Sequence, residues 1–423
     1  MSIAITEDHR ALAETARSFA DKRNLRGAAR ARLESSDDVL PECWAELAEL
    51  GWLGLHLPED VGGSGYGIDE LVVVVEELAR AVAPGPFAPT VIASAVIAAA
   101  GDNDLKSRVL PGLADGSTVG AVALGGSVTV AEGAASGDAG VVLGAALASL
   151  ILVPVGDDVA VVDATGGGVT IDSPPSLDPS RPSARVTLDG APVTVMVGAR
   201  RVLVDLARVI LSADAVGVAR ECTEMGAAYS KERIQFGRPI AMYQAVKHHC
   251  ANMAVATELA TSAVWDAARA SATGGDQLTY AAAAATTLAA PAADLCANLN
   301  TQVHGGIAIT WEHDAHLYMR RATTLLHYLD ATGAAEELTD VTRRGVAREK
   351  TVELPPEAAA IRTEVRTFAQ GIKDLPADQQ RTRLIETGYV MPHWPKPYGR
   401  AAGAVEQLVI EQEFADAGIT RPA

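Results

Sequence analysis

An α+β multidomain fold is predicted for this 423-residue chain: an N-terminal helical domain, a small antiparallel β-barrel, a C-terminal helical bundle and then the start of a second copy. Three observations predict it. Apolar residues recur at helical spacing up to about Gly116. Short β-branched runs broken by Gly, Asp and Pro replace them as far as Val197, and a helical texture with few breakers resumes near Leu203. Finally, a stretch near the C-terminus repeats one near the N-terminus.

The expected boundaries are 1–116 for the first helical domain, 117–200 for the barrel, 201–347 for the bundle, 348–356 for a linker and 357–423 for the second opening. In the first domain Leu12, Ala16, Phe19 and Ala20 share a helix face. Trp44, Leu47 and Leu50 follow, then Leu71, Val74, Val75 and Leu78 on a helix that Asp69 can cap. Turns are marked by Pro58, Gly62, Gly63, Gly65, Gly67, Pro84, Gly85 and Pro86. The runs GAVAL, GVVLG, SLILVPV, DVAVVDA, GVTID, ARVTLDG and PVTVMVG read as strands of a small barrel or sandwich. The alanine-rich stretch after Leu203 has room for four or five helices, which implies a bundle. The linker closes with Glu353, Leu354, Pro355 and Pro356.

Beyond it, GYVMPHWPKPYGRAAGAVEQLVIEQEFA lines up without gaps on GWLGLHLPEDVGGSGYGIDELVVVVEEL. That alignment pairs Gly51 with Gly388, His56 with His393, Pro58 with Pro395, Gly62 with Gly399, Leu71 with Leu408, Val72 with Val409 and Glu76 with Glu413. A whole second copy needs far more residues than remain, so a copy truncated after its first helices is expected.

Hydrophobic residues make up 48% and charged residues 21%, a globular balance. A net charge of −18 repels phosphate backbones and argues against nucleic acid as a partner. Cys43, Cys222, Cys250 and Cys296 are scattered without a C-x-x-C pair, as in a reduced, cytosolic protein. The first residues form an amphipathic pattern without the apolar core of an export signal, and no run is long enough for a membrane span. A soluble, cytoplasmic protein is expected.

The chemistry-bearing segments are YSKERIQFGRPIAMYQAVKHHCANMA, from Tyr229, and QVHGGIAITWEHDAHLYMRRA, from Gln302. An arginine is a fixed cation suited to a pyrophosphate, Phe236 offers a face for an aromatic ring, and Gly237 with Pro239 makes a turn. Gly305 and Gly306 let a main chain come close to a ligand, and Gln302 can hydrogen-bond one. These segments resemble the R-x-x-F-G and Q-x-x-G-G signatures of the acyl-CoA dehydrogenase flavoenzymes, whose helix, barrel, helix order this chain shares.

The resemblance implies FAD as cofactor. Arg233 would lie on its pyrophosphate, Gln235 and Phe236 on adjoining groups, Tyr243 and Gln244 at the adenosine end, and Gln302, Gly305 and Gly306 alongside, reaching the FAD of a neighbouring subunit. It further implies an acyl-CoA substrate, electron-transferring flavoprotein as electron acceptor and a homo- or hetero-oligomer.

Other patterns carry less. Glu312, His313, Asp314 and His316 could ligate a metal, but polar residues before a helix ordinarily cap it or face solvent, and no metal is expected. Adjacent His248 and His249 point to different helix faces. The GGSGYG run from Gly62 follows a Pro-Glu-Asp turn and not a buried strand, unlike a dinucleotide loop. It resembles the family's P-E-x-x-G-G turn.

The resemblance fails at the catalytic base. The family abstracts the α-proton of an acyl thioester with a carboxylate, and the two positions where that base usually stands are occupied here by Leu329, with Asp330 beside it, and by Ala207, with Asp205 two residues earlier. A shift of one or two helical positions re-aims a side chain by roughly 100° per residue. Both aspartates are therefore expected to be solvated or capping groups, and no catalytic residue is assigned. Likewise VALGGSVT and GAALASLIL stand where the family carries its flavin-ring segments. Such losses suit a half that completes a site in another copy. They resemble two-copy or paired-subunit members that shorten steroid side chains as CoA thioesters, in which one half is a dehydrogenase component or a non-catalytic structural partner. An oxidase that passes electrons to oxygen is a further reading.

Overall fold

The computed structural model describes residues 5–35, 38–349, 354–356 and 358–421. They belong to two compact units, residues 11–348 and residues 1–10 with 349–423. The linker expected at 348–356 lies in part outside the described residues, including Glu353.

In the first unit the helices are α1 (Glu7–Lys22, which begins in the other unit), α2 (Leu25–Ala31), α3 (Trp44–Glu49), α4 (Ile68–Arg80), α5 (Phe87–Ala100) and α6 (Asn103–Ala114). α4 opens after Gly67, whose N–H donates to the Glu70 carboxylate at 2.8 Å. Glu70, not Asp69, therefore makes the capping contact: Asp69 already stands in the first helical turn. Every residue of α5 from Phe87 to Ile97 is buried, which explains its apolar character on all sides.

The barrel strands are β1 (Gly120–Val122), β2 (Ser127–Ala131), β3 (Ala134–Leu143), β4 (Leu150–Val155), β5 (Asp158–Asp163), β6 (Val169–Asp172) and β7 (Ser183–Met196). Their order is β2-β3-β1-β4-β5-β7-β6, and an extra β3–β7 pairing closes the ring. The pairings are antiparallel except β1 with β4, which run parallel from Gly120 opposite Leu150 to Val122 opposite Leu152. A parallel pair needs a crossover. Here the β2–β3 hairpin and a 3₁₀ turn at Ala145–Leu147 provide it. β4 is buried along nearly its whole length because it has two dry faces. Ile151 and Val153 join the barrel interior, while Leu150 and Leu152 join the helical core.

The bundle comprises α7 (Arg200–Glu232), α8 (Gln244–Ala270), α9 (Gly275–His304), α10 (Ala315–Leu329) and α11 (Ala331–Arg343), with a two-stranded hairpin, β8 (Ile234–Gln235) and β9 (Arg238–Pro239), between α7 and α8. α4 crosses α7 where a β-carbon on Gly217 would run into the Glu76 carbonyl, so this close approach requires glycine.

The second unit holds α12 (Ala358–Ile372), α13 (Ala377–Glu386) and α14 (Ala404–Asp416) around Val365, Ile372, Leu384, Tyr389, Ile410 and Phe414. Its helices correct the gapless alignment. Gly51 and Gly388 do correspond, at φ 72° and 74°. The following turn is one residue shorter in the second opening. From Gly399 onward the match slips by one, so that Gly63 pairs with Gly399, the helix-preceding Gly67 with Gly403, Val72 with Leu408, Val73 with Val409 and Glu77 with Glu413.

Candidate cofactor arm and interdomain cleft

Arg233 terminates α7. Its N–H donates to the Tyr229 carbonyl at 2.9 Å, and its own carbonyl accepts from Ile240 at 2.8 Å, which folds the chain back as the β8–β9 hairpin. The hairpin tip is Phe236-Gly237, both at positive φ (52° and 76°). A two-residue hairpin turn demands this, and a phenylalanine tolerates it poorly. Phe236 is nonetheless 85% exposed. Tyr243 braces the hairpin: its hydroxyl donates to the Gln235 carbonyl at 2.9 Å, its ring meets Phe236 edge-on, and the Arg238 guanidinium lies 4.3 Å from its centroid. Gln244 opens α8 at the surface. The Arg233 side chain is exposed and has no hydrogen bond or ion pair with any described residue.

At the same end of the bundle α9 stops at Gly305 (φ 63°). Gln302, Gly305 and Gly306 are exposed, and a β-carbon on either glycine would meet nothing within 4 Å. The residues expected to cradle a dinucleotide thus form an open, outward-facing arm, with an unpaired cation and two uncluttered glycines. They suit the end of a ligand that is held mainly by another body.

A cleft of about 340 Å³ lies between the barrel and α10, lined by Val141, Leu177, Ser183, Thr324, His327 and Tyr328 among others. Its floor is ionic. Arg321, fully buried, bonds Asp178 and donates to the Ser180 hydroxyl at 2.8 Å, and it lies 3.4 Å from Asp214, which also pairs with Arg181. Burial alone would raise the Asp178 carboxyl. The Arg321 guanidinium and the Ser180 hydroxyl outweigh it and hold the group below the usual carboxylate range. Asp178, the carboxylate that lines the cleft, is thereby committed to ion pairing.

No carboxylate stands at the two positions that the resemblance implies for the base. Leu329 and Ala207 are core residues. Asp330 sits in the left-handed region at φ 43° and accepts from Gly333 N–H at 3.1 Å, capping α11 as expected. Asp205 departs from expectation: it is buried, neither solvated nor capping, because the Thr279 hydroxyl of α9 donates to it at 2.6 Å. Burial pushes its carboxyl above the usual range. Asp205 does not line the cleft.

The two segments that the resemblance implies at the flavin ring each hold a closely packed glycine. Gly144 approaches α5 so closely that a β-carbon would lie 2.7 Å from Pro89, and one on Gly126 would lie 2.8 Å from the Asp138 carbonyl. The dinucleotide end fits, since the arm offers a free guanidinium and unobstructed backbone.

The remaining patterns have structural uses. Asp314 pairs with Arg30 at 2.5 Å, His313 accepts from Ala315 N–H at 3.1 Å, and His316 stacks on Trp311. His248 and His249 lie on α8 at the surface or half-buried. In the GGSGYG turn the amides of Gly63, Ser64, Gly65 and Tyr66 bond carbonyls of residues 54–58 and are not free for a phosphate.

Residues 6–117 match the acyl-CoA dehydrogenase N-terminal domain and residues 199–347 its C-terminal domain. The chain is 32% identical to acyl-CoA dehydrogenase IpdE2 of Mycolicibacterium smegmatis, across 75% of this chain and 93% of that protein. The chain belongs to the acyl-CoA dehydrogenase family. This is a family of FAD-dependent oxidoreductases acting on acyl-CoA. Acyl-CoA dehydrogenase FadE34 of Mycobacterium tuberculosis is 42% identical over 92% of this chain, which spans 54% of that protein's length. Among solved structures, a Tcur3481-Tcur3483 steroid ACAD variant superposes with a TM-score of 0.74 at 30% identity, covering 80% of this chain and 98% of that one. The ChsE4-ChsE5 complex from Mycobacterium tuberculosis gives 0.76 at 25%, covering 82% and 100%. No helix among the described residues is long and apolar enough to cross a membrane.

One contact went unread in the sequence. Tyr229 stacks on His304 at 4.3 Å and His304 meets His313 at 4.5 Å, which ties the ends of α7 and α9 to the start of α10. Tyr229 stands one helical turn before Arg233, and His304 immediately precedes Gly305. That adjacency to both motifs was the available signal.

Proposed function

We propose that this chain is one half of a paired acyl-CoA dehydrogenase, lending its arm to an FAD held mainly by another copy, and that the second copy supplies the catalytic base. The observation that carries this reading is the pairing of an exposed, unpartnered Arg233 with a cleft that lacks any free carboxylate. Bound FAD supplies the acceptor for the β-hydride of the acyl thioester. Arg233 would neutralise the pyrophosphate, Gly305 and Gly306 would admit it to close range, and Phe236 would cover an aromatic edge. Gln235, Tyr243, Gln244 and Gln302 would complete the polar contacts.

Exposed apolar residues on the bundle, Val255 and Leu259 on α8 with Leu288 and Leu295 on α9, favour a partner copy over that face. The opening helices of residues 357–423 are read as the start of a second copy within the same polypeptide. FadE34, of which this chain spans about half, is in keeping with that reading. The substrate class inferred is a bulky acyl-CoA such as a steroid side-chain thioester, since a relative of known structure is a steroid ACAD. Electron-transferring flavoprotein is the inferred acceptor.

Co-expression with a full second copy tests this. The complex is expected to hold FAD and to reduce ferricenium with a bulky acyl-CoA. Arg233→Ala should cut flavin retention at least tenfold while leaving assembly intact. Flavin retention and turnover unaffected by that substitution would instead favour a purely structural partner, a reading that the buried Leu329 and Ala207 also support.

A further inference from the structure

The arm consists of two segments far apart in sequence, and something must fix the distance between them. The hairpin hangs from the last turn of α7, where Arg233 N–H bonds the Tyr229 carbonyl, and the Gly305–Gly306 turn hangs from His304. Between these points the aromatic contacts run without a gap. The Tyr229 and His304 rings are 4.3 Å apart and within 24° of parallel, and His304 and His313 are 4.5 Å apart. Each imidazole is also oriented by the backbone. His304 Nδ1 lies 2.9 Å from the Asn300 carbonyl, so the nitrogen there carries the proton. His313 Nδ1 accepts from Ala315 N–H, so that nitrogen must be bare.

We propose that Tyr229, His304 and His313 form a clamp that sets the spacing of Arg233 and the Gly305–Gly306 turn, with His304 as the positioning residue for dinucleotide binding. This rests on the reading of those residues as FAD contacts. The clamp requires the uncharged form of both imidazoles. A proton on His313 Nδ1 removes its acceptor, and two imidazolium rings at this separation repel each other.

The charges that face the pair come from every side: Arg26 and Arg30 on α2, Asp314 and His316 at the start of α10, and the Tyr229 phenol on α7. For His304, burial is the main cause of a downward shift, with the His313 charge adding to it against the Asn300 carbonyl. For His313, burial leads again, and His316, Arg26 and Arg30 reinforce it against Asp314. A folded-state value below the free one means that the clamp is intact above the ordinary histidine range, about pH 6.5, and weakens as pH falls through the folded value.

Amide hydrogen exchange of residues 233–243 and 305–311 in the purified chain, combined with FAD titration of the same variants co-expressed with a full second copy, tests the proposal. At pH 7.5 His304→Ala should speed exchange in both segments at least tenfold, and His304→Phe, which keeps a ring in the stack, should restore it to within twofold. Lowering the pH to 5.5, with intrinsic exchange corrected, should loosen the parent more than His304→Phe, in which only His313 still titrates. Exchange in His304→Ala that matches the parent at both pH values, or no rescue by phenylalanine, overturns the clamp. FAD affinity should follow the same order, with alanine at least tenfold weaker than parent and phenylalanine. If exchange behaves as expected but FAD binds parent and alanine variant alike, the positioning role is overturned. If the parent takes up no FAD even with a second copy present, the dinucleotide reading itself falls.

Discussion

The two helical openings, α1 to α4 and α12 to α14, reach the same local answer from sequences that share few residues. In the first, Arg17 grips the buried Glu77 with two bonds, at 3.0 and 2.8 Å. In the second, Arg366 grips the buried Glu413 with two, at 2.7 and 3.0 Å. Phe19 meets Trp52 edge-on at 5.2 Å, while Phe368 stacks on Tyr389 at 4.4 Å.

They differ in what surrounds that shared centre. α4 is held by more than Arg17, because Arg220 and Glu221 of α7 pair with its Glu76 and Arg80. α14 buries only Val409, Ile410, Glu413 and Phe414, and the counterpart of Glu76 is Gln412, which merely accepts from Arg362. A helix without such further pairs depends on its ion pair and its aromatic contacts, whereas a helix held also by α7 has the bundle behind it.

The strongest way to break this comparison is at the turn glycines. A β-carbon on Gly63 would fall inside the Leu57 carbonyl, and one on Gly399 inside the Met391 carbonyl. Each alanine substitution is expected to cost more than about 4 kcal/mol. Limited proteolysis should show Gly399→Ala opening residues 349–423 while 11–348 stays resistant, and Gly63→Ala should do the reverse.

Next come the ion pairs. Glu77→Gln and Glu413→Gln should each destabilise by about 1–3 kcal/mol, since a buried carboxylate loses its charge-assisted bonds while its arginine keeps access to water. Urea titration followed by unit-specific proteolysis reads the two separately. The second opening should lose the larger fraction of its stability.

Acid sharpens the contrast. Hydrogen bonds from Arg366, then Arg362, hold the Glu413 carboxyl below the usual carboxylate range despite the opposing effect of burial. Its folded-state value is therefore lower than its unfolded value of about 4.3. The stabilisation is complete above that pH and is lost as pH falls through the folded value. Residues 349–423 should loosen on acidification below about pH 4, and Glu413→Gln should flatten that response. The smallest expected effect is that of Phe368→Leu, about 1 kcal/mol, from the lost ring contact with Tyr389. A cost as large as that of Glu413→Gln would mean that aromatic packing, not the ion pair, holds the second opening.

Much of this was legible beforehand because it depends on local periodicity. Helical spacing located α1, α3 and α4, β-branched runs located the barrel, and the motif at Arg233 located a turn between long helices, which the structure builds as a hairpin. Counting along helices put Leu329 and Ala207 at the positions that the resemblance implies for a base, and both are buried in the core. Contacts made at a distance were missed. The slip between the two openings hid in a turn one residue shorter, the parallel β1–β4 pair depends on a crossover, and Asp205 is buried only because Thr279 arrives from another helix.

By itself, the sequence determined the order of helices and strands, the family and the chemistry available at each motif, since these depend on residue type and spacing along one chain. Tertiary structure alone decided which groups remain free. Arg233 and Asp178 are both charged side chains that the sequence presents alike. Yet the first faces open solvent and the second lies under a guanidinium, because burial and pairing are settled only when distant elements pack.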